Sequence, residues 1–237
     1  MSETARRDGF MDRVMFDHIS PSQATVECFY GLLMAMALSN TLRLALLGEP
    51  VEEIAFVVSV TIIGCNTAWG IADGAVNMMT SHYQNVYYYR KIKEIKDGND
   101  HQASRDLAVE VLTEALTELQ EDVLDEETRR HMADAAIKAI KKNDLVRPTL
   151  VRSQWIAALW CLLLNLAAAL PFVLIYQLAP LIDLNLVTFM ANITGAIFLF
   201  FLGRSLESKQ GGGGLRTGLI MVGLGMLMLL VIVVLGG

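Results

Sequence analysis

The chain has 237 residues, 54% of them apolar, with 19 basic and 25 acidic side chains and a formal net charge of -6. Its mean hydropathy is positive, and its charges fall in blocks instead of being spread as on the surface of a soluble globule. Mixed charge signs argue against a nucleic-acid partner. The sequence has no Gly-rich loop ending in Lys-Ser/Thr, no His-x-x-x-His pair, no Gly-x-Ser-x-Gly and no Cys-x-x-Cys, so neither an ATP-driven pump nor a hydrolase is expected, and the chain is read as a non-enzyme.

Residues 1–23 form a charged N-terminal segment. Asp8, Asp12 and Asp17 interrupt it, and no apolar region with a small-residue cleavage site follows, so a secretory signal is not expected there. Four apolar stretches then exceed the roughly 20 helical residues needed to cross a bilayer core of about 30 Å: Ala24–Leu47, Ile54–Met79, Ile156–Leu178 and Leu215–Leu235. A fifth, Leu184–Gly203, is just long enough. The predicted fold is all-α and polytopic, with five transmembrane helices and a cytosolic helical insert between spans two and three. Residues 24–89 hold spans one and two, 90–153 the insert, and 154–237 spans three to five.

Span one ends at Gly48-Glu49-Pro50. Span two starts with Glu52 and Glu53, where acids suit the helix dipole. No Gly or Pro follows Met79 until Gly98, so the helix is expected to run on through Tyr83, Tyr87 and Tyr89 into Arg90-Lys91-Ile92-Lys93, a headgroup-zone pattern. The insert reads as two amphipathic helices, roughly His101–Leu119 and Asp125–Lys142. Leu107, Val111, Leu112, Ala115, Leu116 and Leu119 form one apolar stripe, and Met132, Ala136, Ile137 and Ile140 the other. Pro148 precedes span three, and Gly211–Gly214 reads as a flexible link between spans four and five. Spans one and two, and spans three to five, read as two separate groups.

Eighteen of the 19 Lys and Arg residues lie in residues 1–23, 80–153 and 204–216. The positive-inside rule therefore places the N-terminus in the cytosol and the C-terminus outside. An acidic chain of this kind fits a bacterial inner membrane. The exception is Arg43, near the outer end of span one, expected to snorkel towards Glu49 or Asp183. Cys28, Cys65 and Cys161 all fall within spans and read as buried small hydrophobes.

Ionisable groups inside a bilayer are costly and are candidate functional sites. At 1.5 Å rise per residue, Glu27 lies about 4 Å from the cytosolic end of span one and Asp73 about 9 Å from that of span two. Two carboxylates at similar depth can hold a hard divalent cation or share a proton exchanged for one. The alternative is that Glu27 sits among headgroups and Asp73 bonds a neighbouring helix. Asn66, Asp73 and Asn77 share one helical face. Gly70 and Gly74 beside them permit close helix approach, which points that face into protein. Asn40, Asn165 and Asn192 supply further amides, for interhelical hydrogen bonds or a hydrated path. Gly31 with Ala35, and Ala191 with Gly195, offer close-packing faces within or between protomers. Met34, Met36, Met78 and Met79 offer thioethers to a borderline metal such as Fe²⁺, or simply fill space. Glu110, Glu114 and Glu118, spaced by four, are either a cation-binding row or the wet face of the first insert helix.

Two strings, Glu27-Cys28-Phe29-Tyr30-Gly31-Leu32-Leu33-Met34-Ala35 and Gly64-Cys65-Asn66-Thr67-Ala68-Trp69-Gly70-Ile71-Ala72-Asp73-Gly74, together with the five-span layout, resemble a divergent bacterial branch of the vacuolar iron transporter family. That resemblance implies a homodimer in the lipid bilayer that exports Fe²⁺ or Mn²⁺ from the cytosol in exchange for protons. It implies no permanently bound cofactor; the metal is the transported ion. Glu27 and Asp73 carry over as metal or proton sites, with Met78 and Met79 as weaker ones. Typical members carry an Asp-Gly pair on span one, whereas here Asp73-Gly74 is on span two. The alternative is a non-transporting membrane scaffold whose insert binds a cytosolic partner protein.

Overall fold

The computed structural model describes residue 15 and residues 18–116, 125–208 and 212–234. Among these, seven α-helices and no strand are found: α1 Pro21–Ala45, α2 Val51–Asp97, α3 His101–Leu116, α4 Glu126–Lys142, α5 Arg152–Tyr176, α6 Leu184–Ser208 and α7 Leu215–Val234. Five of them, α1, α2, α5, α6 and α7, are long and apolar enough to cross a membrane. At 1.5 Å per residue, the 47 residues of α2 extend about 70 Å, more than twice the apolar thickness of a bilayer. The continuation of α2 beyond Met79 thus follows the sequence reading.

Local chemistry accounts for the helix ends. Ser20 caps α1 by accepting a hydrogen bond from the Gln23 N–H at 3.2 Å, and Pro21 follows in the first turn, where its missing donor is harmless. Beyond α1, Gly48 adopts φ 100°, a conformation that strains any residue with a Cβ. Glu52 and Glu53 lie in the first turn of α2. Asp125 caps α4 through the Thr128 N–H at 2.7 Å, and Asp183 caps α6 through the Asn185 N–H at 2.8 Å.

The chain divides into two compact units, residues 1–78 with 152–237, and residues 79–151. Within the first, Ala35, Met36, Val58, Ile62, Ala169, Phe172, Val187, Ala191 and Leu199 belong to one buried apolar cluster drawn from α1, α2, α5 and α6. Spans one and two are therefore not a separate group from spans three to five, as the sequence suggested: α1 packs directly on α5, α6 and α7. Lipid tails are as apolar as these side chains, so close packing and interhelical hydrogen bonds hold such a bundle together.

Glycines set the closest approaches. A Cβ on Gly70 would lie 2.7 Å from the Leu162 Cα, and one on Gly74 2.7 Å from the Ala158 carbonyl oxygen, so α2 meets α5 backbone to backbone. Gly31 faces Ala168 and Asn165 of α5, and Gly195 faces Met36 and Phe172. Both small-residue faces are thus used inside one chain. Met36 is 3% exposed and fills space against Gly195.

Two polar links join α1 to α6. Asn40 and Asn192 exchange amide hydrogen bonds at 2.8 and 3.1 Å. Arg43 donates to the Asn185 side-chain oxygen, not to Glu49 or Asp183 as expected. Its guanidinium reaches a neutral amide beside the α6 cap, where Asp183 Oδ1 accepts from the Asn185 and Leu186 N–H groups.

The second unit has its own small core of Ile95, Ala108, Ala133 and Ile137, with Leu107, Leu112 and Ile140 against it. Met132, expected in this stripe, is instead 37% exposed. The buried face of α4 runs through positions 133, 137 and 140, and Met132 is turned about 100° away from it. Arg105 pairs with Asp134 through two hydrogen bonds, 2.7 and 2.9 Å, linking α3 to α4. Leu119, Glu118 and residues 121–122 lie outside the described residues.

Candidate functional site

Three helices each contribute a pair of polar residues spaced by four: Gln23 and Glu27 on α1, Asp73 and Asn77 on α2, Cys161 and Asn165 on α5. Residues four apart share a helix face, so each pair presents two polar groups in one direction. Gly70 and Gly74 let α2 approach α5 closely enough for these faces to meet.

Glu27 is at the centre. It is 2% exposed, and its two carboxylate oxygens accept hydrogen bonds from different helices: Oε1 from Asn77 Nδ2 at 3.2 Å and Oε2 from Asn165 Nδ2 at 2.8 Å. The Asn77 amide also donates to Cys161 Sγ at 3.5 Å, and Gln23 Nε2 approaches the same sulfur at 3.9 Å. Asp73 is half-buried and its carboxyl neighbours that of Glu27. Ser22, Gln23, Val26, Glu27, Tyr30, Asp73 and Asn77 line an open cleft of about 310 Å³ between α1 and α2.

Charge and hydrogen bonding are unbalanced here. Among the described residues, neither Glu27 nor Asp73 forms an ion pair with a basic side chain. Asn66 and Asn165 are both fully buried, and the side-chain oxygen of each has no hydrogen-bond partner. The Asn165 nitrogen is committed to Glu27 and to the Cys161 carbonyl, and that of Asn66 to the Ile62 carbonyl. The Asn66 Oδ1 faces Gly31, one helical turn from Glu27. Carboxylates without a cation and amide oxygens without a donor are costly in an apolar interior.

The sequence-predicted residues fall into two sets. Glu27, Asp73 and Asn77 line the cleft, with Asn66 deeper in the bundle. Met78 is half-buried and is not among the lining residues, and Met79 is 51% exposed. Glu110 and Glu114, in the second unit, are engaged by Lys91, whose ammonium is 2.7 Å and 3.1 Å from them. The Tyr87 hydroxyl also donates to Glu114 at 3.1 Å, and Lys91 lies 4.7 Å from the centre of the Tyr87 ring. The hydrogen bond from Lys91 holds the Glu114 carboxyl below the ordinary carboxylate range. Glu118 lies outside the described residues.

Cys161, Asn165 and Gln23 were missed as site residues. Cys161 is 0% exposed and packs partly against Ile19 and Ala24, as a small hydrophobe does, but its sulfur faces two amides. The spacing of Cys161 and Asn165 was the available signal. Among the described residues, no three His, Cys, Asp or Glu side chains converge as a ready-made metal centre. The donors present are two carboxylates, amide oxygens and one thiol. Comparison with family models, curated proteins and solved structures finds no match for this chain.

Proposed function

We propose that this chain is a membrane transporter of divalent cations, with Glu27 and Asp73 as the carboxylates that take the ion. The observation carrying this reading is that a 2% exposed glutamate, held by two amides and neighbouring a second acid, has no basic partner among the described residues. Two carboxylates match the charge of one divalent ion, and their oxygens with those of Asn66, Asn77 and Asn165 are hard ligands suited to it. The open cleft gives the ion a route to Glu27. A proton is the natural occupant when the metal leaves, which makes proton-coupled exchange the coupling of choice.

The resemblance of residues 27–35 and 64–74 to the vacuolar iron transporter family supports the same reading. It adds Fe²⁺ and Mn²⁺ as cargo, export from the cytosol and a homodimer, while the acidic composition and the Lys and Arg distribution favour a bacterial inner membrane with residues 90–153 on the cytosolic side. One observation favours the scaffold alternative: Lys91 occupies Glu110 and Glu114. In that reading, residues 90–153 bind a partner protein instead of capturing metal.

The test is thermal unfolding of detergent-purified protein against added Mn²⁺, with Mg²⁺ as control. A ligand of the folded state at a hundred times its dissociation constant stabilises by about 2.7 kcal/mol. Transport-site binding requires a concentration-dependent rise that Glu27→Gln and Asp73→Asn each abolish. No rise in the wild-type chain removes the carboxylate site and leaves the scaffold.

A further inference from the structure

We propose that Asn66 is a station on a proton route that runs from Glu27 along the buried row of α1, so that the proton exchanged for the metal passes Gly31 on its way to or from the carboxylate. The proposal rests on the reading of Glu27 and Asp73 as a cation site and adds the path of the counter-ion.

Two observations on different helices carry it. On α1, Glu27, Gly31, Ala35 and Ser39 follow one another at intervals of four, each about one turn beyond the last, in a row inclined to the helix axis. All four are buried. The row rises about 18 Å at 1.5 Å per residue, and between the carboxylate and the Ser39 hydroxyl it carries nothing larger than a methyl group. At its far end the Tyr176 hydroxyl donates to the Ser39 carbonyl at 3.2 Å and lies 3.3 Å from the Thr188 hydroxyl.

Small residues serve helix packing equally well, and Asn66 of α2 separates the two roles. It is 0% exposed and its Oδ1 has no hydrogen-bond partner among the described residues, yet that oxygen is aimed at the row. A Cβ on Gly31 would lie 3.2 Å from it and 3.2 Å from the Asn165 carbonyl oxygen. The Asn66 nitrogen donates to the Ile62 carbonyl of its own helix at 2.9 Å, so this side chain does not tie helices together as Asn40 and Asn192 do. A buried acceptor that is unsatisfied is a net cost to the fold, one that an apolar residue of similar shape avoids. What the oxygen supplies is a hydrogen-bond acceptor for a water or hydronium in an apolar interior. A hydronium held there gives its proton to Glu27: one O–H bond breaks, one forms on the carboxylate, and neutral water remains. Glu27 gives up that proton when the metal takes its place. The titratable groups along the route are Glu27, Asp73 and Cys161 at one end, and Tyr176 and Arg43 at the other.

The test compares the full-length wild-type chain with Asn66→Leu, which removes the oxygen, and Asn66→Ser, which keeps one with room for water. Each is measured twice: unfolding temperature in detergent against added Mn²⁺, and luminal Mn²⁺ and pH in proteoliposomes under a Mn²⁺ gradient. Asn66→Leu should unfold no lower than wild type and keep the Mn²⁺ stabilisation, while its Mn²⁺ flux and luminal pH change fall to the protein-free background. Asn66→Ser should retain exchange. Wild-type exchange in Asn66→Leu, or equal loss in Asn66→Ser, overturns the role of the Asn66 oxygen and leaves the carboxylate site standing. Loss of Mn²⁺ stabilisation together with flux in Asn66→Leu also overturns it, since Asn66 would then serve the binding site itself. No Mn²⁺ stabilisation in the wild-type chain overturns the cation site and the route with it. If Asn66→Leu does not fold, the smaller Asn66→Val decides by the same comparisons.

Discussion

Adding one methyl group at Gly74 tests whether α2 and α5 really meet through glycine. A Cβ there would lie 2.7 Å from the Ala158 carbonyl oxygen, 3.0 Å from its Cα and 3.1 Å from its Cβ. Carbon contacts relax at about 3.5–4.0 Å, so the helices must separate by roughly half an ångström to one ångström. Two of the three obstructing atoms are backbone and cannot rotate aside. Overpacking of this kind costs about 1–3 kcal/mol, and at roughly 2–4 °C per kcal/mol for a chain of this size the melting temperature should fall by several degrees. Gly70→Ala, whose Cβ would meet the Leu162 Cα at 2.7 Å, should behave alike. Gly64→Ala is the control, since nothing lies within 4 Å of its Cβ position; its effect should stay within about 0.5 kcal/mol. The assay is thermal unfolding of the three purified variants in one detergent. Gly74→Ala as stable as Gly64→Ala would refute the backbone-to-backbone packing. Because Asp73 and Asn77 share this face of α2, the separation should also loosen the Glu27 hydrogen bonds.

Glu27→Ala leaves the Asn77 and Asn165 amides without their carboxylate acceptors, and each orphaned donor costs about 1–3 kcal/mol; Glu27→Gln, which keeps one acceptor oxygen, should unfold at a higher temperature than Glu27→Ala. The Asn40–Asn192 pair should show a coupling of about 0.6–1.7 kcal/mol in a double-mutant cycle with leucine at each position, and strict additivity would count against it. Asp134 is held below its ordinary value of 3.8 by its hydrogen bond from Arg105. A depressed carboxylate pKa contributes stability above the ordinary aspartate value and loses it as pH falls through the folded value. Amide protection relative to the intrinsic exchange rate in residues 101–116 and 126–142 of the full chain should therefore fall more steeply in acid for wild type than for Asp134→Asn, and equal acid dependence would contradict the pairing.

Helix positions were legible because their signals are local. Gly48-Glu49-Pro50, Glu52-Glu53 and Asp125 mark ends through their own backbone chemistry, and apolar length marks the spans, although the first helix starts at Pro21 behind the Ser20 cap, three residues before the apolar run at Ala24. The run of α2 to Asp97 follows from the absence of a breaker before Gly98. The candidate site was half legible. Asp73, Asn77 and Asn66 share a face of one helix, and Glu27 is a charge inside an apolar run, so periodicity alone found them.

Partners across helices were not legible, since they depend on the register in which α5 docks. Asn165 was read as an interhelical amide or part of a hydrated path; it does bond between helices, but its partner, Glu27 on α1, depends on how closely Gly31 lets α1 approach α5. Burial was expected of all three cysteines and holds for Cys161, whereas Cys28 and Cys65 are half-buried; the direction of the Cys161 sulfur was not read. Arg43 was assigned to an acid by charge, yet it donates to the neutral Asn185 of α6, a partner that charge alone does not mark. Met132 was included in a stripe that the docking of α4 shifts by one position.

The most direct test of the account is metal flux. Proteoliposomes containing the wild-type chain, loaded with a Mn²⁺-quenched dye and given an inward Mn²⁺ gradient, should take up the ion and alkalinise their lumen in step with it, as exchange for outgoing protons requires. Glu27→Gln and Asp73→Asn, each shown to be folded by size-exclusion chromatography and helical content, should fall to the protein-free background. Wild-type flux in either variant would contradict the claim that these two carboxylates carry the ion.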